Sequence, residues 1–285
     1  MPLTPGICKV PIERVEDGAG DHRHDPLAVE EPLELRLVYQ EGGERKEESA
    51  SITMRTPGQD RELAVGFFYS EEILGGRQDL RDARPLSDRP DCNVIRVELR
   101  PGAGFDPIRL RRNFYTTSSC GVCAKTSLEA LKMTGCRPLE KLTPVVSSRV
   151  VEGLPGKLGR AQPVFAQTGG LHAAALFDPW GRLISLREDV GRHNAVDKLI
   201  GRQLLDDRLP LGDRVLMVSG RTSFEILQKA LRAGIPIVAA VSAPSSLAVQ
   251  LARQFKMTLL GFVRGNRFNI YAGKERIRLE HPPMP

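Results

Sequence analysis

The sequence predicts an α/β protein: a regular half built on a largely parallel central sheet, preceded by a smaller α+β part. Two observations carry this. From residue 171 to residue 272, apolar strand-like runs alternate with amphipathic segments of about ten residues, the pattern of strands joined by helices. Before residue 112, period-two stretches surround one helical stretch. The division falls at 1–112, a small N-terminal domain with a flexible arm, and 113–285, an α/β domain that starts at a cysteine-bearing loop.

Taken in order, residues 1–31 are polar, carry Gly18-Ala19-Gly20 and the run "DHRHD", and read as a loose arm. "LELRLVY" and "SASITMRT" alternate with period two around "EGGER", which predicts a hairpin. "DRELAVGFFYSEEILGG" reads as a helix stopped by Gly75-Gly76, and "NVIRVELR" as a strand. "RPGAGFDPIRLRRNFYTTSS" is a long loop, of a length that is uncommon unless it has a function. "KTSLEALKM" has helical spacing, and the Pro- and Gly-rich stretch from Leu142 to Gly170 holds a short helix. "LHAAALF" and "RLISLRE" flank the turn sequence "DPWG" and predict a second hairpin. Helix "NAVDKLIGRQLLDD", strand "DRVLMVSG", helix "RTSFEILQKALRAG", strand "IPIVAAVSAP", helix "SSLAVQLARQF", strand "MTLLGFVR", a Gly265-Asn266 turn and strand "RFNIYA" complete the chain.

Composition narrows the function. At 285 residues, with 41% hydrophobic and 27% charged, the chain can bury a large core. No apolar run approaches the roughly 20 residues of a membrane span, and the start lacks a secretory signal pattern, so a soluble cytoplasmic protein without membrane contact is expected. Five cysteines (8, 92, 120, 123 and 136) suit a reducing compartment. The net charge of +6 favours anionic partners. With 5% aromatic residues not interleaved with basic ones, nucleic-acid stacking platforms are not expected.

Cys120 and Cys123, in "SSCGVCAK", open three chemistries: a metal site, a disulfide, or nucleophilic attack. Structural zinc needs four ligands, and there is one such pair with no His-x₃₋₅-His partner, so no structural metal is expected. A nucleobase deaminase needs His-x-Glu, but His172 is followed by Ala173-Ala174, and the cysteine pair lies upstream. A thioredoxin-like motif would sit between a first strand and a helix. Inert packed thiols are the bland alternative, less easily built in a Gly- and Ser-bearing loop. A helix starting near Ala124, with Lys125, Arg111 and Arg112 close in sequence, would lower a thiol pKa and favour a reactive thiolate.

Three further stretches stand out. "EDVGRHNAVDKLIG" gathers Glu188, Asp189, Arg192, His193, Asn194 and Asp197 at one strand-to-helix junction, which reads as a site or as a capped helix with surface ion pairs. "VSGRTSFE" (Ser219, Arg221, Thr222, Ser223) and "VSAPSSLA" (Ser242, Ser245) each end a strand and open a helix with hydroxyls, which suits phosphate. Ordinary helix capping is the alternative for each alone. Arg264 and Arg267 flank a hairpin turn and suit a pyrophosphate or guanine.

Together "SSCGVCAK", "EDVGRHNAVDK", "SGRTSFEI", "AGIPIVAAVSAPSSLAV" and "GFVRGNRFNIY" resemble the FdhD family of sulfur carriers needed for formate dehydrogenase activity, in family order over residues 30–272. The resemblance implies a cytidine-deaminase-like three-layer α/β domain and a homodimer. It implies a sulfurtransferase in which Cys120 carries a persulfide and Cys123 assists. The donor would be a cysteine desulfurase. The client would be the molybdenum bis(molybdopterin guanine dinucleotide) cofactor destined for formate dehydrogenase, with GDP as a mimic of its nucleotide end. Phe262, Val263, Arg264, Gly265, Asn266 and Arg267 would hold that end, with the two serine-rich helix starts and His193 contributing. The competing expectation is a cofactor-binding chaperone that handles no sulfur.

Overall fold

Apolar residues spaced at every second position build the first large sheet. In the computed structural model, which describes residues 6–87, 89, 92–105 and 137–280, β3 (Glu31–Glu41) and β4 (Glu44–Arg55) form the expected antiparallel hairpin. Leu33, Leu35 and Leu37 point inward and are fully buried. The turn residues Gly42 and Gly43 have φ of 61° and 87°, the left-handed pair that a tight hairpin requires. The sheet is completed by β5 (Leu80–Pro85) and β6 (Val94–Leu99) in the order β4-β3-β6-β5.

The polar arm is a correction. Residues 7–28 form an antiparallel hairpin, β1 (Ile7–Glu16) and β2 (Ala19–Ala28). Its turn is Asp17-Gly18, with φ of 54° and 82°, and Asp-Gly is a strong hairpin signal. The strands carry few apolar residues because β2 is almost wholly exposed. A second correction concerns α1 (Asp60–Ser70), which stops before Gly75-Gly76. Glu72 takes a left-handed φ of 62°, and the N–H groups of Ile73 and Leu74 turn back to the Phe68 carbonyl.

The second sheet has six strands in the order β13-β12-β11-β10-β8-β9. These are β8 (His172–Phe177), β9 (Leu183–Asp189), β10 (Val215–Val218), β11 (Ile237–Ala240), β12 (Thr258–Arg264) and β13 (Arg267–Ala272). Only β10–β11 and β11–β12 pair in parallel, and the other three pairings are antiparallel. The sheet is therefore mixed rather than largely parallel, because hairpins supply its outer strands. Its centre is apolar on both faces: Val215 and Met217 enter one core cluster, Leu216 and Val218 the other, as expected for strands covered on both sides.

One face is covered by α2 (Ser148–Arg160), longer than the short helix expected and containing Pro155. Beside it lie the short α3 (Phe165–Thr168) and the parallel pair β7 (Val146–Ser147) and β14 (Ile277–Arg278). The other face takes α4 (Arg192–Leu205), α5 (Phe224–Arg232) and α6 (Ser246–Gln254). One continuous core cluster joins these helices to α1 and the leucines of β3. At the crossing of α1 and α4, backbone meets backbone: a Cβ on Gly66 would lie 1.8 Å from the Asp197 carbonyl oxygen, and one on Gly201 1.9 Å from that of Glu62. Among the described residues no helix is long and apolar enough to cross a membrane.

Candidate functional site

The carboxyl ends of β10, β11 and β12 share one edge of the six-stranded sheet, and antiparallel β8 begins there. The two serine-rich segments are neighbours on it. Thr222 N–H donates to the Ala243 carbonyl (3.3 Å) and Ser245 N–H to that of Thr222 (2.9 Å), and Thr222 bridges to Pro244. Phe262 joins them through its N–H to the Ser242 carbonyl (3.2 Å), with a left-handed φ of 53°. Arg264 Nε reaches the Val241 carbonyl at 3.3 Å. Arg264 and Arg267 are exposed and pair across the Gly265-Asn266 turn, whereas the Val263 side chain is fully buried in the core.

The hydroxyls divide by role. Ser245 caps α6 by accepting from the Ala248 N–H (3.2 Å), and Ser219 accepts from the Ala173 N–H (2.9 Å). Ser223 precedes α5 without capping it; its Oγ lies 3.2 Å from His193 Nε2. Ser223 also hydrogen-bonds the Glu225 carboxylate, which, against its own partial burial, is held below the usual carboxylate range by that bond, its own backbone N–H, His193 and Arg192. Thr222 is fully buried, and among the described residues its hydroxyl has no partner; Arg192 Nε is likewise buried and without a partner among them.

The edge is electropositive. Burial first, then Arg192 and Lys229, lower the His193 pKa to about 4, so the ring is neutral at neutral pH. His172, which lies against Gly220 at the start of β8, is lowered in the same way by burial and then by Arg192. Buried donors, a helix start of nine residues and an excess of cations form a place that can accept an anion.

The junction "EDVGRHNAVDK" splits into two roles. Only Arg192 and His193 belong to the edge. Asp189, fully buried, accepts from the N–H groups of Gly191 (2.8 Å) and Thr56 (3.3 Å) and from Asn194 Nδ2 (3.2 Å), and pairs with Lys198 (2.7 Å). Asp197 accepts from Ser70 (2.8 Å) and Lys229 (2.8 and 2.9 Å). Glu188 takes the N–H groups of Val164 (3.2 Å) and Phe165 (2.8 Å) at the start of α3. Asp189 and Asp197 are thus neither surface ion pairs nor ligand-facing groups, but parts of a buried network that joins the chain after β4, and α1, to α4. Sequence reasoning missed Thr56, Ser70 and Lys229 because each partner lies far along the chain from the residue it serves. Cys120 and Cys123, with Arg111, Arg112 and Lys125, lie outside the described residues. Among the described residues no three His, Cys, Asp or Glu side chains are grouped to hold a metal.

The FdhD/NarQ family model matches residues 28–278. A Streptomyces coelicolor protein named sulfur carrier protein FdhD is 50% identical over 274 residues, covering 94% of each chain. Its namesake from Mycobacterium tuberculosis is 47% identical over 90% of this chain and 92% of its own. That from Sulfolobus acidocaldarius is 45% identical over 96% and 99%. The crystal structure of a Desulfotalea psychrophila protein, described as a formate dehydrogenase accessory protein, superposes with a TM-score of 0.73 at 23% identity and covers 96% of this chain and 100% of its own. Its fold is shared, and with the matched span covering most of the sequence, the chain belongs to the FdhD/NarQ family.

Proposed function

We propose that the protein is a sulfurtransferase that carries sulfur as a persulfide on Cys120, from a cysteine desulfurase to the molybdenum bis(molybdopterin guanine dinucleotide) destined for formate dehydrogenase, and that it works as a homodimer. The relatives named sulfur carrier proteins support the cargo. The observation that carries the client side is the electropositive edge, where the buried Thr222 hydroxyl lacks a partner among the described residues beside two paired helix starts. Phosphates of the nucleotide ends fit there, with Ser223, Arg221, Arg192 and His193 in reach. The exposed Arg264 and Arg267 offer planar donors to a guanine or a second phosphate. Val263 contributes backbone at most, and Ser219 and Ser245 serve mainly to shape the loops.

Loading is an exchange without net oxidation. The Cys120 thiolate attacks the outer sulfur of the donor persulfide, a new S–S bond forms at Cys120, and the donor thiolate leaves with the electron pair of the broken bond. Cys123, three residues on, assists release. The chain after Cys120 rejoins the described structure near Leu139, whose N–H donates to the Phe255 carbonyl at the edge of the sheet opposite His193 and Ser223.

The test is intact mass after incubation with a cysteine desulfurase and cysteine. One added sulfur should map to the peptide holding Cys120, and Cys120→Ala should abolish both the gain and the activation of formate dehydrogenase. Calorimetry with GDP should show binding that weakens with salt and is lost in the Arg264→Ala, Arg267→Ala double variant, with persulfide loading unchanged. Nucleotide binding without any sulfur uptake would instead support a cofactor-binding chaperone.

A further inference from the structure

We propose that the turn joining β8 and β9, centred on Trp180, is the docking point for the protein that loads Cys120, and that it takes a partner surface with an apolar recess rimmed by carboxylates; the inference rests on the sulfur-carrier reading above. Trp180 is the only tryptophan in the chain and is 79% exposed, whereas tryptophan is normally well buried. Its backbone is held firmly. Buried Asp178 accepts from the N–H groups of Trp180 (3.0 Å) and Arg182 (2.8 Å) through one oxygen, and from Arg182 Nε (3.1 Å) through the other. Gly181 donates to the Asp178 carbonyl (3.0 Å), and Lys157 of α2 donates to the Gly181 carbonyl. A large aromatic presented on a clamped turn loses little freedom on binding, which is the profile of an interface anchor.

Charge and position decide what binds. The turn's one carboxylate, Asp178, is buried and committed, while the Arg182 side chain is 79% exposed and Lys157 lies behind it. The outward charge is positive, so the complementary rim is acidic. Phe177, Val215, Ile237 and Thr258 form one row across the sheet, which puts Trp180 on the same edge as Leu139, where the segment bearing Cys120 returns. Three strand spacings, about 14 Å, separate β8 from β12 along that row. The electropositive client edge is the opposite one, so a protein seated on Trp180 leaves it open.

The experiment follows the rate of sulfur gain at Cys120 against the concentration of a purified cysteine desulfurase supplied with cysteine, and in parallel with glutathione persulfide as a small donor. Trp180→Ala and Arg182→Gln, whose amide still serves Asp178, should each raise the half-saturating desulfurase concentration about tenfold or more. Loading from glutathione persulfide and thermal melting should stay at wild-type values, and the Arg182 effect should shrink as salt rises. Unchanged half-saturation, or equal slowing with the small donor, would overturn the docking assignment and leave the carrier reading standing. Normal loading combined with failed activation of formate dehydrogenase would place the recipient on this surface and overturn it equally. A wild-type chain that gains no sulfur from either donor would bring down the carrier reading and this inference with it.

Discussion

The same chemical change at two glycines should have opposite effects. At Gly201 an added Cβ would lie 1.9 Å from the Glu62 carbonyl oxygen and 2.7 Å from Gly66 N. Both are backbone atoms, so no rotamer change can relieve the clash. Restoring an ordinary 3.4 Å contact needs α1 and α4 to part by about 1.5 Å, beyond the usual overpacking that costs about 1–3 kcal/mol. The gain in helix propensity on replacing Gly offsets about 1 kcal/mol. Gly201→Ala should therefore lose about 3 kcal/mol, a fall of about 6–10 °C in Tm for a chain of this size. At Gly153, exposed within α2, an added Cβ meets nothing within 4 Å. Gly153→Ala should gain about 0.5–1 kcal/mol and raise Tm by a degree or more. Thermal melting followed by circular dichroism separates the two. A Gly201→Ala variant melting within a degree of the parent would refute the crossing geometry.

Two further outcomes follow from the charges. Lys229→Met leaves buried Asp197 with Ser70 as its remaining hydrogen-bond donor among those described and with Glu71 close by, since Lys229 stands 2.8 Å from Asp197 and 3.9 Å from Glu71. It should cost about 3–5 kcal/mol at pH 7. Burial already raises the Asp197 pKa, and the cost of ionising such an acid is complete above its folded pKa and fades as pH falls from there toward the unfolded value, so the deficit should shrink in urea melts as pH is lowered; a pH-independent loss would count against the pairing. GDP binding should strengthen as pH falls from 8 toward 5. The free His193 pKa is about 4, a phosphate beside the ring raises it, and affinity therefore grows as pH falls through the bound value. Calorimetry in buffers of different ionisation enthalpy should show proton uptake that His193→Gln removes, and uptake unchanged in that variant would exclude His193 as the titrating group.

Much of the second half was legible because its strands are apolar on both faces and its helices are short and amphipathic, so each element declared itself within ten residues. The serine-rich helix starts were readable for the same reason: a strand end and a helix start are local events, and their adjacency follows from β10 and β11 being parallel neighbours. The misreadings have physical causes. Residues 7–28 lack a buried face, so polarity hid a hairpin whose Asp17-Gly18 turn was in plain view. The sheet was expected to be largely parallel although "DPWG" already announced an antiparallel pair on one side. Asp189 and Asp197 looked like ligand groups because a carboxylate's destination depends on who meets it. Thr56 and Ser70 meet these two from more than a hundred residues away.

That buried network has a further consequence. Asp189 and Lys198 are both less than 2% exposed, and two of their hydrogen bonds go to Thr56. If the first sheet with α1 were cut away, Asp189 and Lys198 would lose their bonds to Thr56 and Asp197 its bond to Ser70, beside an apolar surface that solvent does not want. Neither portion makes a sensible soluble fragment, and truncations designed at the apparent boundary should aggregate. Supplied as two co-expressed polypeptides, the same portions would each carry the hydrogen-bonding groups and apolar surface the other lacks, with Glu62 again meeting Arg187, which makes the contact selective for its proper mate as well as adhesive.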